Sequence, residues 1–246
     1  MTTTALRPIS PVTRLHIEFR KLLDTRSSAG LMIAMGTFIV LMMALVLTLS
    51  GSQATFAELT TEGGMVPLMY LLPVMGILTT CAEWRHHTAQ VTYALDPRRS
   101  HVLLAKVVAV LLAVVVFTTG LFLVALPVAL VAGISIPDAG ALAAMFRNTV
   151  VSLSGFTIVG IALGAALLNA PLAIVAYLLL PQLIPQFLAM GESTAKLIPW
   201  VDVLELFTGI MAGTYPTEGL ETASIVAVWI VVPLVFGFVR NARREA

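Results

Sequence analysis

Four histidines, one cysteine and thirteen carboxylates are the raw material for metal or acid–base chemistry in this chain of 246 residues. Their spacing uses little of it. His86 and His87 are adjacent, so they do not share a helical face, and no further His stands near them in sequence. His16 lacks an i+4 partner, and the pair at 86–87 reads as a solvated loop. No HExxH motif and no nucleophile–base constellation is present. A different arrangement stands out. Pro181-Gln182 and Pro185-Gln186 repeat at helical spacing inside an apolar run, which places two amides on one face. Such amides can line a pathway, and the prolines can bend the helix and free carbonyls for a ligand. Bonding to a neighbouring helix is the competing use. Gly160/Gly164 and Gly209/Gly213 have GxxxG spacing, which ordinarily means helix packing.

The elements that hold these residues are set by composition. The chain is 59% hydrophobic and 11% charged, with a mean hydropathy of +0.98. A soluble domain carries about 45–50% apolar and about 25% charged residues, and a fold of this size could not hide the excess. The sequence therefore predicts an all-α integral membrane protein. A net charge of +1 argues against a nucleic-acid reader, and Cys81 alone forms no internal bridge. Six runs meet the requirement of about 20 apolar residues per span: 29–50, 65–82, 102–132, 148–168, 171–190 and 223–239. Lys106 sits near one end of the third and is expected to snorkel. Asn169-Ala170-Pro171 separates the fourth from the fifth. Residues 197–211 read as a short helix with Pro199 at its start. With Asp202 and Glu205 it is too short and acidic to cross, so it should dip into or lie on the membrane. The run at 29–50 starts too late and is too long for a cleaved signal.

Counting basic residues orients the spans. With both termini cytoplasmic, twelve lie inside: Arg7, Arg14, Arg20, Lys21, Arg26, Arg85, Arg98, Arg99, Lys106, Arg240, Arg243 and Arg244. Only Arg147 and Lys196 then lie outside. Three segments remain. Residues 12–26 put Val12, Leu15, Phe19, Leu22 and Leu23 on one face, an interfacial amphipathic helix leading into span one. In the inner connection 83–101, Thr88 can cap a short helix over 89–95 that Pro97 helps to end. The outer segment 191–222 is long for a connection and can form a lid.

In this order the pieces resemble the membrane subunit of an ATP-binding-cassette (ABC) exporter of the type-2 permease family, over nearly the whole chain. Family members have six spans, an amino-terminal elbow helix, a cytoplasmic coupling helix between spans two and three, and short membrane-dipping helices between spans five and six. The most specific stretch is Glu83, Thr88, Pro97, Arg98, Arg99 and Lys106, with His87 where the family usually has Gly.

The resemblance implies a single permease domain without ATPase activity. Consistently, the sequence has no Gly-Lys pair and so no P-loop, and Leu49-Ser50-Gly51-Ser52-Gln53 matches an ATPase signature only by coincidence. Two copies of a cytoplasmic ATPase would bind ATP and Mg, and a second copy of this permease or a relative would complete the complex. Glu83, Arg85, Thr88, Arg98 and Arg99 would couple to the ATPase. Thr79, Ser154, Gln182 and Gln186 are the candidate substrate contacts. The spans carry no ionisable residue beyond Lys106, which disfavours ion coupling and favours a neutral substrate, hydrophobic or amphiphilic. A stand-alone carrier, channel or assembly factor is the alternative reading.

Overall fold

The computed structural model describes residues 13, 15–17, 19–20, 26–85, 99–214 and 219–243. It is all helical, with no strand among the described residues. Six helices are long and apolar enough to cross a membrane. Span one is Arg26–Ser50. Span two joins Phe56–Thr60, a π-helical turn Thr61–Met65 and Val66–Arg85. Span three is Arg99–Ala132, span four Ala139–Leu167 and span five Ala170–Ala189. Span six joins Gly219–Val226, a second π turn Ala227–Val231 and Val232–Arg243. We call the end with Arg26, Leu167 and Arg240 the near end, and the end with Gly51, Gly133 and Met190 the far end.

The three spans that start at the far end begin four to nine residues earlier than hydropathy suggests. Span two starts at Phe56 rather than residue 65 because Thr55 and Glu58 form a reciprocal capping box: the Thr55 hydroxyl accepts from the Glu58 amide at 3.1 Å, and the Glu58 carboxylate accepts from the Thr55 amide at 2.9 Å. Gly63 and Gly64, just before the expected start at residue 65, lie inside the π turn. Their bare Cα atoms let neighbours approach: a methyl at Gly64 would sit 1.9 Å from a Leu121 carbon, and one at Gly63 2.9 Å from Met43. Span four starts at Ala139 rather than 148, capped by Asp138 accepting from the Ala141 amide at 2.9 Å. Span six begins at Gly219. Each π turn is followed by Val-Pro, Val66-Pro67 and Val232-Pro233.

The corner between spans four and five falls where expected. Leu168 takes a left-handed conformation (φ 51°), and Asn169 caps span five by accepting from the Leu172 amide at 3.1 Å. Span four is the hub, with fourteen buried residues along its length. Span two runs parallel to it in a tight seam. A methyl at Gly160 would lie 2.7 Å from the Pro73 carbonyl oxygen, one at Gly76 2.9 Å from Ile161, and one at Gly164 3.3 Å from Ile77. Gly160 and Gly164 thus act as packing residues. Gly209 and Gly213 do not: Gly213 (φ 85°) ends a helix, with the Thr214 amide donating to the Gly209 carbonyl at 2.8 Å.

Span six closes the near end. A methyl at Gly237 would lie 2.5 Å from the Ala165 carbonyl oxygen. One turn on, Arg240 donates to the carbonyls of Ala166 (2.9 Å) and Leu167 (3.3 Å), capping the last turn of span four where a cation is favourable. Lys106 differs from its expected snorkelling: it is 7% exposed, on the buried face of span three that also carries Ala105 and Ala109. In the amino-terminal segment, Leu15 and Phe19 are half-buried and packed against the core, while Thr13, His16, Ile17 and Arg20 are exposed.

Candidate functional site

Residues 197–211 are two helices rather than one. Ile198–Val201 ends at Asp202, whose backbone turns extended (ψ 91°), and Val203–Met211 then starts with Asp202 as its cap, accepting from the Glu205 amide at 2.9 Å. The second helix docks on span four in antiparallel register. Val203 and Val159 line one cavity, Phe207 lies over Gly155, and Gly213 lies beside Asn148. Between Asn148 and Val159 span four rises about 16 Å, so the segment enters from the far end, turns at Asp202 deep in the bundle and returns. Phe207 fixes it, edge-on to Phe156 at 5.0 Å between centroids, in space that any side chain at Gly155 would fill. Trp229 of span six fixes the other arm, its indole N–H donating to the Val201 carbonyl at 2.7 Å.

The turn closes over a cavity of about 10 Å³, the room one water needs. Its walls are Phe156 and Val159 of span four, Leu178 and Pro181 of span five, and Val203 and Leu204 of the re-entrant helix. Tyr70, Tyr177 and Gln182 supply its polar groups. Tyr177 is 4% exposed, and its hydroxyl donates to the Met69 carbonyl of span two at 2.7 Å.

Of the candidate substrate contacts, the structure brings Gln182 alone to this cavity. Gln186 is exposed one turn on, on the same side of span five. Neither amide makes a hydrogen bond among the described residues. Thr79 is half-buried and spends its hydroxyl on the Met75 carbonyl at 2.7 Å, and Ser154 is half-buried on span four. Neither lines the cavity; spans two and four contribute Tyr70, Phe156 and Val159 in their place. Sequence reasoning missed Tyr70 and Tyr177. The available signal was a tyrosine within each of two apolar runs, one of them three residues before Pro73.

In the candidate coupling region, Thr88, Arg98, His86, His87 and the expected helix over 89–95 lie outside the described residues. Glu83 and Arg85 belong to the last turn of span two, and Arg99 opens span three, so these backbones stand at the near end. Among the described residues, no group of three His, Cys, Asp or Glu side chains is placed to hold a metal ion. No family model matches the sequence, and no curated protein matches it.

Proposed function

We propose that the chain is the permease subunit of an ATP-driven ABC exporter, moving a hydrophobic or amphiphilic substrate across the cytoplasmic membrane by alternating access. The observation that carries this reading is the pair Gln182 and Gln186, exposed on a span whose neighbouring surface is Leu179, Leu183 and Phe187. Polar side chains within a span ordinarily face a partner or a water-lined path. The spans, longer in the structure than hydropathy suggests, take in Glu58, Glu62, Arg147 and Glu221 besides Lys106, so the expectation of otherwise charge-free spans does not hold. The two amides themselves are neutral, able to hydrogen-bond a passing amphiphile but not to carry a coupling ion, and under this proposal the energy comes from elsewhere. In this reading two cytoplasmic ATPase subunits supply it, binding ATP and Mg, and Glu83, Arg85, Thr88, Arg98 and Arg99 receive their motion. A second copy of the permease, or a homologous one, faces span five across the path. The chain is not itself an enzyme.

The supporting arrangement is the order of parts: an amphipathic segment before span one, six spans, and a re-entrant pair of short helices between spans five and six. The excess of basic residues supports a cytoplasmic near end with both termini on that side. The test is to tag the chain in its native membrane, extract it in mild detergent and identify what co-purifies near one-to-one. A P-loop ATPase whose hydrolysis depends on this chain supports the reading. Its reproducible absence from an intact, monodisperse preparation refutes it and favours a stand-alone membrane protein.

A further inference from the structure

We propose that Tyr177 is a latch that seats span five by capping a carbonyl that Pro73 leaves without a donor. Pro73 has no backbone N–H, so the carbonyl four residues earlier, that of Met69, loses its helical hydrogen bond. In an apolar surrounding an unpaired carbonyl is strongly unfavourable. The donor that replaces the missing N–H comes from 108 residues away: the Tyr177 hydroxyl, at 2.7 Å. The neighbourhood fixes which partner can leave. The near half of span two is locked to span four by the close approaches at Gly76, Gly160 and Gly164, with Pro73 pressed against Gly160. Span five has no such seam. Its buried face is one stripe, Ala170, Ala173, Tyr177 and Pro181, in which two members are alanines.

Tyr177 therefore supplies the directional tie on an otherwise smooth face. When span five lifts, the Met69 carbonyl and the Tyr177 hydroxyl lose their partners together, so the proline makes the seated position more favourable than packing alone would. The latch does not depend on what the chain transports, and its test needs no substrate.

The experiment reads thiol labelling in detergent micelles of the full chain. A cysteine placed at Ala173, fully buried on the seated stripe, reports lifting of span five. The native Cys81, 2% exposed with its thiol 3.5 Å from the Gly164 carbonyl, reports the span two–span four seam in the same molecule. Tyr177→Phe keeps the ring and removes the hydroxyl. It should raise the labelling rate at Ala173→Cys about fivefold, the worth of one hydrogen bond, with Cys81 unchanged. Pro73→Ala restores the N–H, so in that background Tyr177→Phe should change the rate by less than about twofold. A reporter at Ala170→Cys should give the same pattern if the one at Ala173 disturbs packing. An unchanged rate in Tyr177→Phe, an equal rise at Cys81, or an undiminished effect in the Pro73→Ala background would each overturn the proposal.

Discussion

Spans four and five leave the same corner, Leu168–Asn169, and meet opposite surroundings. In span four 67% of the most apolar window is buried inside the chain, against 17% in span five. Span four achieves this with small residues: glycines at 155, 160 and 164 admit Phe207, Pro73 and Ile77 to its backbone. Without a hydrophobic force between helices in lipid, such close van der Waals contact is what holds them. Span five carries bulk outward instead, with Leu172, Val175, Leu179 and Phe187 exposed, and adds two amides to that side. The contrast separates a scaffold, where shape complementarity is dense, from an open face, where it is sparse and polar groups are exposed; under the proposed function this open face is the working face.

The largest expected effect breaks the scaffold. Gly160→Val places carbon against the Pro73 backbone, which cannot step aside as a side chain could. A loss of about 3 kcal/mol is expected, seen as a midpoint lowered by about 6 °C or more when unfolding is followed by exposure of Cys81 to a thiol dye. Next is Trp229→Phe, which removes the indole donor to Val201 and should lose about 1 kcal/mol in the same assay. Arg240→Gln removes the cation from the end of span four and should lose about 0.5 kcal/mol, less at high salt. The smallest stability effect belongs to the working face: the double change Gln182→Leu with Gln186→Leu should leave the midpoint unchanged or slightly raised. Under the proposed function the same double change should abolish substrate-stimulated ATP hydrolysis in the assembly. A drop in stability comparable to that of Gly160→Val would erase the distinction between the two spans.

The sequence revealed the number of spans because hydropathy over twenty residues is a strong signal. It misplaced their far-end starts because a helix does not stop where apolar residues do. Glu58 and Asp138 look like the edge of a span by composition, yet they serve as capping partners that begin the helix. The break at Asp202 was hidden because the run reads as one short acidic helix by composition, whereas here the extended backbone at Asp202 ends one short helix and its carboxylate caps the start of another. Gln182 was legible because an amide pair at i, i+4 in an apolar run is locally conspicuous. Its companions Tyr70 and Tyr177 were not, since their meaning depends on a carbonyl that Pro73 releases and on the packing of four distant segments around it.

The division between scaffold and working face is tested most directly by following both in one molecule during turnover. Under the proposed function, labelling of Ala173→Cys on span five and of native Cys81 on the span two–span four seam would be compared with and without hydrolysable ATP, in the assembly purified with the proposed ATPase. The account predicts that ATP turnover raises labelling at Ala173→Cys while Cys81 stays protected. Equal rises at both positions, or ATP-dependent labelling of Cys81 alone, would contradict it.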